Sequence, residues 1–479
     1  MQNPSLVVVP YRYKATKLYS EIPITGVGDF TVGRLLNTAT RVNSNGNIEV
    51  VNANIPRLDY YTTGGVAGCP ALLVEPSGSN LAFHSETWAS GNNWTLDAVT
   101  RVTGSTSAFL APDGTFTANA LSPTSANVFH GLYSNSSTQN TYISGTIYTQ
   151  SAFFKQGTGV AGRYVQLTYT GGGQFTQNGY ANFDLQLGTV AVVSGTSADT
   201  NRAARIENYG NGWYRCSFTA TCNAAGNGIG VLPVLVNASG NTRAQSFAGV
   251  TGDILYGWGA QLETGSVATS YIPTTTGSVT RNADVINVSG AVSGLIGQSE
   301  GTIYAEVDMT SQSGVTRTLL TLSDGTITNR IRFRLTTATN LEMERTVSGS
   351  VNASLNVTVP ASGVSKIALG YNASASGFVI YVNGSSAGTI AAATPTFTNQ
   401  LTRIDIGSNI GSAPQFNDRI RAVALYTSRL DDADLMVLTS PTYYSNVRDM
   451  IWDTFVARTS TFSELPGCLQ TRHNELITL

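Results

Sequence analysis

The chain has 479 residues, only 12% of them charged, and a net charge of −2; it lacks the basic excess that would argue for nucleic acid or an anionic membrane surface. Soluble domains usually carry about 25% charged residues; here Gly, Ser, Thr and Asn keep the surface wet instead, and 41% hydrophobic residues exclude a disordered chain. The length suits two or three domains with sizeable cores, and no run approaches the roughly 18 apolar residues of a membrane-spanning helix.

At the N-terminus, MQNPSLVVVPYRYK has no basic leader and its apolar run is broken by Pro10, so no secretory signal is expected. Residues 1–79 read as an extended arm for docking to a larger assembly. They hold one hairpin, TRVNSNGNIEVV, turning at Asn45-Gly46, and apolar residues (Leu6 to Val9, Leu35, Leu36, Leu72, Leu73) with little sign of a core of their own.

From about residue 80, TYISGTIYTQSAFF, RYVQLTYT, YANFDLQL, GWYRCSFTA, GIGVLPVLVN and DILYGWGAQLE alternate apolar and polar residues between Gly- and Asn-rich turns. Such regular short strands predict an antiparallel sandwich or jelly roll over 80–276. In its last strand Ile254, Tyr256, Trp258, Ala260 and Leu262 share one face by period two. In WYRCSFTATC the same rule places Cys216 and Cys222 about 20 Å apart on one face. A disulfide needs Cα atoms within about 7 Å, so both read as small buried hydrophobes. The Ser-, Thr- and Gly-rich run that follows, ending in a linker at 277–284, is too polar to pack and reads as a tether.

The strand pattern restarts over 285–440. GTIYAEVDM puts Ile303, Ala305, Val307 and Met309 on one face. RIRFRLTTATNLEMER reads as a hairpin in which one register pairs Arg332 with Glu344 and Arg334 with Glu342, and also Phe333 with Met343 and Leu335 with Leu341. KIALGY, GFVIYVNG, LTRIDIGS and DRIRAVALYTSRL complete a second sandwich, and Asp431 or Asp432 can cap a short helix in LDDADLMVLTS. Within 441–479, Tyr444, Val447, Met450, Ile451 and Phe455 fall at helical spacing; with Trp452 they form a candidate assembly surface. The fold expected is all-β: two antiparallel β-sandwich (jelly-roll) domains in series, with an extended N-terminal arm and a short, partly helical C-terminal segment.

Recognition of a sugar needs an exposed aromatic face beside amides and hydroxyls. Trp213 and Arg215 lie opposite Tyr214 and Phe218, and Tyr180 and Asn182 line the polar face of their strand, so these four are the candidate glycan-binding residues. His84, His130 and His473 are far apart, and Cys69 and Cys468 are isolated, so no metal site or cofactor is expected.

Several stretches carry a resemblance. ATRVNSNGNIEVVNANIPRLDY, then CPALLVEPSGSNLAFHSETW and NNWT, resemble the leader of a family of bacteriophage virion proteins. ENYGNGWYRCSFTA and GWGAQLETGSVATSYIPTTTGSVTRNAD resemble that family's middle module, a jelly roll similar to carbohydrate-binding modules. Residues 300–440 resemble a concanavalin-like or laminin-G-like lectin sandwich through YVNG and RIRAVALYTSRLDDADLMVLT.

The resemblance implies a non-enzymatic virion surface protein, of tail-fibre or head-decoration type, made in the host cytoplasm. Its implied partners are other virion proteins, copies of itself (a trimer if it forms a fibre) and host-surface polysaccharide; nucleic acid and membrane insertion are not among them. Some laminin-G-like domains hold calcium at acidic loops such as that of Asp324 in SDGT, but no calcium-loop spacing is present. Concanavalin-like glucanases carry Glu-x-Asp-x-x-Glu on an inner strand. Glu306 and Asp308 match its first two positions and Ser311 replaces the third, on what reads as the first strand of its domain. A retaining glycosidase needs both carboxylates, so a depolymerase is the lesser reading. A free bacterial adhesin would need secretion.

Overall fold

In the computed structural model, the described residues are 2–441, apart from 24, 37, 63–64, 135–140, 170–172, 176–178, 197–198, 200, 311–315, 373–376 and 391–396. The candidate assembly residues Tyr444, Met450, Ile451, Trp452 and Phe455, and also Ser311, His473 and Cys468, lie outside them.

Two antiparallel sandwiches form as the alternation predicts. In the first, one six-stranded sheet runs Trp94–Asp97, Gly131–Ser134, Pro233–Val236, Tyr164–Thr168, Tyr180–Asp184, Thr189–Ser194. The other runs Val99–Val102, Asn119–Pro123, Leu255–Thr264, Ile147–Gln156, Trp213–Thr221, Ala203–Asn208. Phe154, Val165, Leu167, Phe183, Cys216 and Phe218 close the space between them. Cys216 and Cys222 are free and buried, as expected.

Strand Leu255–Thr264 departs from its simple period. The ladder with Ile147–Gln156 shifts between Ser151 and Phe153, because Gly259 takes a left-handed φ of 63°. One extra residue changes which face the side chains meet. Leu255, Ala260 and Leu262 therefore point into the sandwich, whereas Tyr256 and Trp258 turn outward to join Phe153 and Trp213 in a separate cluster. The expectation of a single face for Tyr256, Trp258, Ala260 and Leu262 is corrected by that bulge.

The second sandwich corrects the reading of the N-terminus. One sheet runs Ser385–Ile390, Phe378–Val382, Gly363–Tyr371, Gly301–Met309, Asp418–Tyr426, Gly65–Val74, Leu58–Thr62. Leu6–Val8 pairs with the other end of Asp418–Tyr426, Leu6 opposite Leu425. In the facing sheet Tyr13–Lys14, Lys17–Leu18 and Phe30–Gly33 lead into Val285–Ser289, Arg403–Ile406, Arg317–Ser323, Arg330–Leu335, Asn340–Val347 and Ser350–Thr358. Residues 1–79 are thus not an arm standing apart. Leu6, Val8, Leu18, Phe30, Val32, Leu58, Leu72 and Val74 belong to the same core as Ile303, Leu320 and Phe333, while Leu35 and Leu36 remain exposed. Local pattern cannot reveal this, because the partner strands lie at the far end of the chain.

The Arg330–Leu335 hairpin takes the predicted register at all four pairs. Arg334 Nε meets Glu342 Oε2 at 2.6 Å and Arg332 Nη2 meets Glu344 Oε2 at 2.8 Å. Asp431 caps the helix Asp432–Thr439, accepting from the Asp434 backbone N–H at 2.7 Å. The tether does pack, which is a second correction. Val279–Arg281 pairs with Gly78–Asn80, and Tyr271, Ile272 and Thr274 are buried. A polar segment can be buried when its groups are hydrogen-bonded, and here Asn80 Nδ2 donates to the carbonyls of Ala260 and Ile272 while Thr274 Oγ1 donates to that of Ala82.

Candidate functional site: the seam between the sandwiches

The tether, the hairpin Ala39–Val42/Ile48–Val51 and strand Gly65–Val74 meet between the two sandwiches around a buried ionic hub. Arg34 Nη1 lies 2.8 Å from Asp284 Oδ1, whose Oδ2 accepts from Arg57 Nη2 and from the Glu75 backbone N–H. Arg57 Nη1 is 2.6 Å and Arg281 Nη1 3.1 Å from Glu75 Oε2. Ser270 donates to Glu75 through both its N–H and its hydroxyl, each at 2.7 Å. Burial alone would raise the Glu75 carboxyl; Arg281 and Arg57, with the Ser270 bonds, instead hold it far below the ordinary carboxylate range. Neighbouring Glu263 is held up by burial despite bonds from Thr269 and Gln261. Charges this deep need opposite charges beside them. Every carboxylate oxygen of Glu75 and Asp284 accepts from a donor, whereas Arg34, Arg57 and Arg281 each bury an Nε with no hydrogen-bond partner.

The hub gathers the motifs singled out in the sequence. Arg57 comes from NIPRLDY, Glu75 from LLVEPS, and Glu263, Ser270, Tyr271, Arg281 and Asp284 from the stretch 257–284. Beside them Tyr271 Oη donates to Glu86 Oε1 at 3.0 Å, and Trp258 and Tyr271 pack with ring centroids 4.6 Å apart. Those stretches hold the two sandwiches to each other.

The four candidate glycan residues do not form one exposed site. Trp213 and Arg215 do face away from the core of their sandwich, as predicted, but that face is covered. Trp213 is 2% exposed, donates from Nε1 to the Leu110 carbonyl at 3.0 Å, and packs with Val42, Ile48 and Tyr61. Arg215 is equally buried and donates from Nη1 to the Thr269 carbonyl at 2.6 Å. Asn182, on the opposite sheet, is fully buried and holds a loop through the carbonyls of Ser239 and Asn241; Tyr180 beside it is half-buried. Neither Trp213 nor Asn182 can reach a sugar without moving what covers it.

Strand Gly301–Met309 is central, between Gly363–Tyr371 and Asp418–Tyr426, which corrects its reading as a peripheral first strand. Glu306 is buried and its Oε1 is 2.8 Å from Arg421 Nε. Asp324 organises its own loop, accepting from the Thr326 N–H and hydroxyl and from Asn329 Nδ2. Among the described residues no group of three His, Cys, Asp or Glu is placed to hold a metal ion. His130 is buried between the carbonyls of Ala98 and Phe247.

Two grooves and a small, partly open hollow border the seam. The hollow, of about 50 Å³, is lined by Asp59, Glu75, Arg205, Glu207, Arg215 and Arg419 among others; a water occupies at least about 10–15 Å³, so it suits a few waters. One groove, of about 490 Å³, is lined by Tyr61, Leu187, Val190, Arg205, Glu207 and Tyr214. The other, of about 460 Å³, is lined by Tyr11, Arg12, Tyr13, Arg41, Asn43, Asn45, Glu49 and Tyr60. Sequence reasoning found the Asn45-Gly46 hairpin but not its groove. The Arg41–Glu49 cross-strand pair was the only local signal available.

Residues 280–436 match the Concanavalin A-like lectin/glucanases superfamily (Laminin_G_3). No curated protein matches the sequence. Solved structures similar to part of the chain include the CBM40 of the Ruminococcus gnavus IT-sialidase, at 20% identity over 30% of this chain and 84% of that one, TM-score 0.27. The binding domain of botulinum neurotoxin serotype D/C is 15% identical over 33% of this chain and 40% of that one, TM-score 0.27. The leech intramolecular trans-sialidase is 18% identical over 33% of this chain and 27% of that one, TM-score 0.28.

Proposed function

We propose that this chain is a non-enzymatic structural protein of a phage particle surface, of tail-fibre or head-decoration type, that carries a lectin-like sandwich to host glycans. The observation that carries the reading is the buried ionic hub. The stretches resembling phage virion proteins supply all of its charged groups but Arg34, so the segments that carry the resemblance also fix the two sandwiches to each other, as a protein projecting from a particle requires. The match of residues 280–436 to a lectin superfamily supports glycan contact, as do the tyrosine-lined grooves beside the hub.

A depolymerase is the second reading, and Glu306 argues against it. A nucleophile must face the sugar with a second carboxylate about 5–5.5 Å away, whereas Glu306 is buried against Arg421. Attachment to other virion proteins and self-association, as a trimer in a fibre, belong to the first reading. The test is direct. Antibody to this chain should label the outside of intact particles, and the purified chain should retain host-surface polysaccharide without shortening it. Unlabelled particles, or depolymerisation that disappears in Glu306→Ala, would overturn the proposal.

A further inference from the structure

The groove between the Asn45 hairpin and the N-terminal strands has a chemistry of its own, and we infer that it is a binding site for a neutral saccharide of one or two sugar units. The inference rests on the glycan-binding reading above and assigns that binding a place outside the span matched to the lectin superfamily.

Three tyrosines, Tyr11, Tyr13 and Tyr60, line a space of about 460 Å³, within the range of about 300–1,000 Å³ usual for small-ligand sites. Tyrosine rings offer flat apolar faces with a polar edge, which suits the C–H face of a pyranose. Beside them Arg41 and Glu49 pair across the hairpin at 2.7 Å, and Asn43 Nδ2 holds the second Glu49 oxygen at 3.0 Å. Glu49 is 37% and Arg41 18% exposed. A sugar's vicinal hydroxyls can both donate and accept, and a fixed carboxylate beside a fixed guanidinium presents acceptor and donor at matching spacing.

Charge selects the class of sugar. Arg12, the other cation of the groove, is occupied by Glu21, with its Nε 3.1 Å from Oε1 and its Nη2 2.9 Å from Oε2. Each cation has its own carboxylate, so an acidic sugar would find no uncompensated positive charge and would meet Glu49. Arg57 Nη1 donates to the Thr40 carbonyl at 3.2 Å and Arg34 Nη2 to that of Asn52 at 2.8 Å, so the hub fixes the hairpin wall of the groove.

The test uses the full chain and saturation-transfer NMR with the methyl glycosides of glucose, galactose, mannose and N-acetylglucosamine, and the methyl glycoside of N-acetylneuraminic acid, its carboxylate free, as the acidic probe. At least one neutral glycoside should bind. Losing a charged hydrogen bond should weaken it about tenfold or more in Glu49→Ala and Arg41→Ala, with the melting temperature nearly unchanged because the pair is partly exposed. Tyr60→Leu should weaken it as well, which tests the stacking face separately. Neutral binding that both charge variants leave intact would move the site elsewhere while glycan binding stood. Binding of the acidic probe alone would overturn the assignment of sugar class. No binding by any probe would overturn the groove, and retention of host polysaccharide by the same preparation would then decide the wider reading independently.

Discussion

The two sandwiches are built from different kinds of sequence. Among the described residues, the strands of both six-stranded sheets of the first come from the single stretch between Trp94 and Thr264. The second takes its strands from Leu6–Val8 to Gly65–Val74 and again from Val285–Ser289 to Asp418–Tyr426, so the first sandwich is inserted into the second. A contiguous module can be read and excised as a unit. An interrupted one exists only after its two halves have met, and each half alone exposes apolar strand faces.

The largest expected effect follows from that difference. A fragment spanning 80–276 should fold, whereas 80–440 should keep the first sandwich and lose the second. Leu6, Val8, Leu18, Phe30, Leu72 and Val74 are all removed from the core of the second. At about 1.5–3 kcal/mol for each buried side chain, their loss is of the order of the whole stability of a domain, about 5–15 kcal/mol. Limited proteolysis and near-ultraviolet circular dichroism would show it; a protease-resistant 285–440 in the truncated chain would break the comparison.

Next in size is the hub. Arg57→Met removes the guanidinium that Glu75 and Asp284 share, leaving each with one buried arginine, Arg281 and Arg34 respectively. Breaking a buried pair from one side costs about 3–5 kcal/mol, and the remaining arginines hold the loss near the lower figure. Calorimetry should then resolve two transitions, one for each sandwich, where the wild-type chain melts as one. Two transitions already present in the wild type would mean that the hub does not couple the modules.

A smaller effect tests the bulge that sends Trp258 to the seam. Gly259→Val forces a branched side chain into the left-handed region, and its Cβ would lie 2.9 Å from the Phe153 ring. Backbone strain of this kind costs about 1–3 kcal/mol. It should lower the melting temperature and red-shift tryptophan emission as Trp258 loosens. An unshifted spectrum with wild-type stability would sink the account of the bulge.

Smallest is the surface ladder of the second sandwich. A double-mutant cycle on Arg334 and Glu342, a cross-strand pair with side chains 26% and 12% exposed, should return about 0.2–1 kcal/mol. A coupling near zero would mean that the apolar pairs Phe333–Met343 and Leu335–Leu341 set the register alone.

Legibility follows the range of the interaction. The hairpin could be placed residue by residue because both of its faces constrain one offset, and Cys216, Asp431 and the inward side of Gly301–Met309 were legible for the same local reason. The candidate site was far less legible. Trp213 was assigned to the correct side of its strand, but what covers that side comes from Val42, Ile48 and Tyr61, far upstream. The tyrosine-lined groove is equally a product of assembly. Tyr13 belongs to one sheet of the second sandwich, Tyr60 to the other, and Asn43 to a hairpin packed on the first.

By itself the sequence determined that the chain is all-β, where most strands run, and which side of each strand is apolar, because alternation and cross-strand pairing act between neighbours a few residues apart. Tertiary structure decided that the apparent arm completes a sandwich and that the apparent tether is a buried hub. It also decided that the tryptophan face is covered rather than open. Those outcomes depend on contacts such as Ser5 Oγ with the Leu425 carbonyl, 420 positions away. Hydrophobic burial is non-directional: an apolar strand face records that it must be covered, but not by what.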